Sequence, residues 1–92
     1  MSGVIDNEKM SRYELSADGK TAFSDYKIAN GIITFMHTEV PDEFRGKGVG
    51  SKLVRGELEA VRARGLKVVG RCPFVARYIQ DHAEFHDLLA SK

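Results

Sequence analysis

The chain has 92 residues, which is enough for one domain and too few for a second domain or a large substrate lobe. Its 42% hydrophobic and 29% charged residues suit a folded globular protein, and a net charge of +1 gives no general pull toward nucleic acid or a membrane surface. A single cysteine, Cys72, excludes an internal disulfide and a multi-cysteine zinc site, and no apolar run approaches membrane-spanning length. The N-terminus lacks a basic-then-apolar signal pattern, so the expected setting is cytoplasmic.

In chain order, residues 1–10 are polar and glycine-containing and read as a flexible lead-in, with a single domain over 11–92. Arg12-Tyr13-Glu14-Leu15 starts a strand that Ala17-Asp18-Gly19-Lys20 ends, the Asp-Gly pair being a strong hairpin signal. Thr21 to Ile28 alternates well enough for a second strand, with Phe23 breaking the pattern through a bulge or two-sided burial. Asn30-Gly31 marks a second hairpin turn, and Ile32 to Val40 is the longest strand, rich in β-branched and aromatic residues. After Pro41, Val49, Leu53, Val54, Leu58 and Val61 recur at spacings of three and four, predicting an amphipathic helix to about Arg64, stopped by Gly65. Leu66 to Gly70 is a short apolar strand continuing to Cys72. Pro73 then opens a second helix to about His82, with Phe74, Tyr78 and Ile79 on one side, and residues 84–90 add a final turn or two. The order β-β-β-α-β-α predicts a mixed α+β fold: an antiparallel meander, then a right-handed crossover to a parallel strand.

The charge is unevenly distributed. Residues 1–44 carry eight acids and four bases, residues 45–92 ten bases and five acids, and the basic half begins at Arg45-Gly46-Lys47-Gly48-Val49-Gly50. Glycines between a strand and a helix let the backbone approach a ligand closely, and the free N–H groups of the first helical turn favour an anion such as pyrophosphate. A Walker A loop needs Gly-Lys-Ser/Thr at its end, whereas Gly50 is followed by Ser51-Lys52. A dinucleotide fingerprint needs a third glycine or alanine, but Ser51 stands three after Gly48. The pattern that fits is Arg/Gln-x-x-Gly-x-Gly/Ala, filled by Arg45, Gly48 and Gly50.

These residues resemble the GNAT superfamily of N-acetyltransferases, and within it a subgroup of very short proteins. The resemblance covers about Ile32 to Phe85. It rests on His37-Thr38-Glu39-Val40-Pro41, then Arg45 to Gly50, then Cys72-Pro73-Phe74-Val75 with Tyr78. It implies a minimal GNAT fold whose strands splay to admit the pantetheine arm of acetyl-CoA. It also implies pyrophosphate binding by Val40, Arg45, Gly46, Lys47, Gly48, Val49, Gly50 and Ser51. Full-length members have extra N-terminal helices at the acceptor site, for which this chain has no room. The acceptor amine is therefore unidentified, and a second subunit, as in a homodimer, could complete that side.

Acetyl transfer needs a base, donors for the developing oxyanion and an acid for the leaving thiolate. On an alternating strand His37 and Glu39 share a face with Ile33 and Phe35, and either could be a base facing the cleft. Cys72 precedes a helix N-terminus, where a thiolate is favoured, and could carry the acetyl group covalently after His37 takes its proton. The resemblance implies the same catalytic role for a cysteine at this place, and for Tyr78 that of an acid toward the leaving thiolate. Tyr78 also has the spacing of a packing residue. His82 and His86 stand four apart without an evident third ligand, so no metal site is expected. Two functions follow: an acetyl-CoA-dependent N-acetyltransferase, or a non-catalytic module that binds coenzyme A or a protein partner on the same scaffold. Nucleic-acid binding lacks the interleaved aromatic and basic residues it would need.

Overall fold

A computed structural model describes residues 3–44 and 46–90. The sheet is organised by two tight turns. Asp18 and Gly19 have φ of 52° and 76°, and Asn30 and Gly31 55° and 77°, so both central residues of each turn are left-handed. That geometry matches the twist of antiparallel strands and is open to Asp-Gly and Asn-Gly. The turns connect β2 (Arg12–Ala17), β3 (Lys20–Ala29) and β4 (Ile32–Glu39) into the expected meander.

A strand not anticipated precedes them. β1 (Ile5–Asn7) pairs antiparallel with β2, so residues 5–7 of the expected flexible lead-in are a strand, and residues 1 and 2 lie outside the described residues. Side chains explain it: the Asp6 carboxylate accepts a 2.6 Å hydrogen bond from the Tyr26 hydroxyl and lies 3.2 Å from Arg64. A polar strand held this way carries no apolar periodicity.

After a 3₁₀ turn at Asp42–Phe44 comes α1 (Val49–Ala63). It ends where Gly65 (φ 74°) lets the chain turn back, with Gly65 N–H bonded to Arg62 O and Leu66 N–H to Val61 O at 3.1 and 3.2 Å. β5 (Lys67–Gly70) pairs parallel with β4, giving sheet order β1-β2-β3-β4-β5, and α2 (Pro73–Asp81) and a 3₁₀ segment (Ala83–Leu88) follow. The fold is mixed α+β, as expected. Tyr13, Ala22, Tyr26, Ile33 and Phe35 form the buried sheet face, packed with Leu53, Val54, Leu58 and Val61 of α1 and Val75 and Ile79 of α2. Val75 takes the core position expected of Phe74, which stays 43% exposed.

Candidate active site

Three features shape the site: a bulge, a splayed strand pair and an uncapped helix. The β3–β4 register pairs Tyr26 with Phe35 but Asp25 with His37, so Met36 is an extra residue in β4. Such a bulge shifts the side-chain alternation by one. Ile33 and Phe35 are buried, whereas beyond the bulge Thr38 and Val40 take the core-facing side, and His37 and Glu39 are turned to the opposite, exposed face. There His37 Nε2 lies 3.1 Å from Glu39 Oε1, and its ring meets Phe23 edge-on at 6.3 Å. The expected face shared by His37 and Glu39 with Ile33 and Phe35 is thereby corrected, and His37 is not brought to Cys72.

Thr38 is. Its Oγ1 accepts a 3.3 Å hydrogen bond from Cys72 Sγ and sits 2.8 Å from Ser24 Oγ on β3. Cys72 is 4% exposed, and its N–H and that of Arg71 both donate to Phe35 O, at 3.0 and 3.1 Å. β4 and β5 therefore stay joined up to the pair Phe35–Gly70 and part beyond it. Gly70 belongs at that fork because a Cβ there would lie 3.2 Å from the Ala76 backbone nitrogen of α2.

The helix end completes the site. Gly46 and Gly48 have φ of 76° and 74°, and Gly48 caps α1 without a side-chain hydrogen bond. The first helical bond runs from Lys52 N–H to Gly48 O at 3.0 Å, so the N–H groups of Val49, Gly50 and Ser51 have no helical carbonyl to meet. The first turn holds no acidic residue. A groove of about 440 Å³ runs from this end to the strand fork, lined by Thr38, Val40, Phe44, Gly46, Gly48, Gly50, Ser51 and Phe74. Gly50 keeps the groove open there, since a Cβ would stand 2.7 Å from Phe74 Cζ and displace that ring.

Of the residues expected to bind the cofactor, Val40, Gly46, Gly48, Gly50 and Ser51 line the groove. Lys47 is exposed beside it, Val49 leans on the core, and Arg45 lies outside the described residues. Uncapped amides, glycine walls and a nearby lysine suit a pyrophosphate-bearing ligand such as coenzyme A. Tyr78 is 8% exposed and lines a smaller groove that shares Ser51 and Phe74 with the first. Arg55 Nε donates to its hydroxyl at 3.1 Å, and Arg55 also holds Glu84 at 2.6 Å. His82 stacks on Tyr78 at 3.8 Å and its Nδ1 bonds the Tyr78 carbonyl. Among the described residues no three His, Cys, Asp or Glu side chains gather as a metal site.

Two residues that the sequence did not single out stand behind Thr38. Ser24 and Glu57 are both 0% exposed. Glu57 sits on the apolar stripe of α1 with Val54, Leu58 and Val61, and that spacing was its readable signal.

Comparison with known proteins agrees with this geometry. A family model described as GCN5-related N-acetyl-transferase matches residues 12–88. Protein NATD1 of Homo sapiens is 31% identical over 55 residues, covering 60% of this chain and 49% of that protein. Protein NATD1 of Xenopus tropicalis is 32% identical over 55 residues, covering 60% and 50%. The matched stretch thus spans about half the length of these curated relatives. The solution structure of a GCN5-like protein from Staphylococcus aureus superposes with a TM-score of 0.74 at 27% identity, covering 100% of this chain and 93% of that one. With the family model spanning most of the sequence, the chain belongs to the GCN5-related N-acetyltransferase family.

Proposed function

We propose that the protein transfers an acetyl group from acetyl-CoA to an amine by way of Cys72. The observation that carries the reading is one continuous groove. At one end it offers the uncapped amides of α1, and at the other Thr38, which holds the Cys72 thiol. A pyrophosphate placed on Val49, Gly50 and Ser51 N–H groups leaves the pantetheine arm to run between the parting strands toward Cys72. A thiolate at Sγ attacks the thioester carbon, a carbon–sulfur bond forms there, and the coenzyme leaves as its thiolate. An amine then displaces the cysteine sulfur. The Tyr78 hydroxyl, one groove away, is the candidate proton donor to the leaving thiolate.

A second reading is a coenzyme A-binding or protein-interaction module without catalysis. It draws on the burial of Cys72 and on His37 facing away from it. Calorimetric titration with coenzyme A, paired with thiol release from acetyl-CoA across a panel of amines, separates the two. Transfer lost in Cys72→Ala with binding retained supports the covalent route, and binding without turnover in the wild type supports the module. A cytoplasmic setting and a homodimer belong to the same proposal and are tested by fractionation and sedimentation.

A further inference from the structure

Among the described residues, Glu57 is the charged side chain with no exposed surface, and neither carboxylate oxygen has a hydrogen-bond partner. An unpaired buried carboxyl is costly, so its retention in the middle of α1 asks for a reason. Around it the side chains form a line. Ser24, also fully buried, lies on β3, against which α1 packs, Thr38 Oγ1 lies 2.8 Å from Ser24 Oγ, and Cys72 Sγ lies 3.3 Å from Thr38 Oγ1. We propose that Glu57 holds the proton of the Cys72 thiol, exchanged through the hydroxyls of Thr38 and Ser24. Glu57 is thus a positioning residue for the thiolate and does not touch a bound molecule.

The exchange balances without any outside reactant. The cysteine S–H bond breaks as its proton passes to Thr38 Oγ1, the Thr38 proton moves to Ser24 Oγ, and the Ser24 proton forms the O–H bond of a neutral Glu57. The negative charge moves from carboxylate to sulfur and each hydroxyl regains a proton. Afterwards Thr38 donates to the thiolate, Ser24 to Thr38, and Glu57 to Ser24. No hydrogen bond joins Ser24 to Glu57 in this conformation, so the last link is made by a rotation of the Glu57 or Ser24 side chain. Burial favours the neutral acid most strongly, Ser24 opposes it, and the charge of an ionised Cys72 adds to the burial effect. The other titratable group that feels Glu57 is Tyr13 on β2. Arg64 at the end of α1 engages Asp6 and Tyr13 instead. His37, the base expected from the sequence, is not required.

This inference rests on Cys72 being used as a thiolate, but its test does not pass through acetyl transfer. With one cysteine in the chain, the ultraviolet absorbance of the thiolate, taken as a difference from Cys72→Ala, reports Cys72 alone. Two groups sharing a proton titrate in two macroscopic steps that belong to the pair. The wild type is therefore expected to develop thiolate in two steps with an intermediate plateau, and Glu57→Gln in one. Thiolate that forms in a single step only after the Glu57 carboxyl has ionised overturns the proposal, because Glu57 then never takes the thiol proton. The Glu57 carboxyl carbon, followed by NMR in the unmutated protein, must move through the same two steps, which needs no variant to fold. A protein that titrates this way and transfers no acetyl group would sink the proposed function and leave the relay standing.

Discussion

Glutamine in place of Glu57 should make the protein more stable, and increasingly so as pH rises. The carboxyl has no exposed surface and no hydrogen-bond partner in the fold, whereas in the unfolded chain it meets water. Burial therefore raises its proton affinity well above the ordinary glutamate value of 4.5. Above that value the unfolded chain has released the proton while the folded state still holds it. The native state then binds one more proton, and stability falls as pH rises until the Glu57–Cys72 pair releases its first proton within the fold. One proton corresponds to a slope of about 1.4 kcal/mol per pH unit. Glutamine keeps nearly the same shape and does not titrate. Urea unfolding of both proteins at a series of pH values gives the difference directly. That difference should be smallest in the acid range and grow in favour of Glu57→Gln by about 1.4 kcal/mol per pH unit above it. A difference that stays constant with pH would mean that Glu57 reaches water or an unrecognised cation, and would refute the buried-acid account.

Other substitutions probe the frame around it. Thr38→Val removes the hydroxyl that joins Ser24 to Cys72 and strands a fully buried Ser24 oxygen; urea denaturation should show a loss of about 1–3 kcal/mol. Asp6→Ala takes away the acceptor for the Tyr26 hydroxyl and the partner of Arg64. A cost of about 1–3 kcal/mol by the same method would show that β1 belongs to the fold. Gly50→Ala forces Phe74 aside, but that ring is 43% exposed and able to move. Helix propensity offsets the strain by up to about 1 kcal/mol, so the melting temperature should hardly change while calorimetry shows weaker coenzyme A binding.

The parts of this architecture legible in the sequence were those with a local cause. Asp18-Gly19 and Asn30-Gly31 announce turns because few other pairs tolerate two left-handed residues. Gly65 ends a helix for a similar reason, and the glycines at 46, 48 and 50 mark the groove because side chains there would fill or distort it. The bulge at Met36 was not legible. No glycine or proline marks it, and nothing within β4 says that Asp25 and Tyr26 on β3 will face His37 and Phe35. That one residue moved Thr38 into the site and His37 out of it. Glu57 was visible as an acid on an apolar stripe, yet its neighbours Ser24 and Cys72 come from elements distant in sequence and meet only in the fold.

Covalent transfer requires that Cys72 receive the acetyl group. The direct measurement is to mix the protein with acetyl-CoA in the absence of an amine, quench, and map the mass of the peptide containing Cys72. An acetyl adduct on Cys72, formed with release of one coenzyme A thiol and discharged when amine is added, is the predicted result. Coenzyme A binding with an unmodified Cys72, while amines are still acetylated, would contradict it.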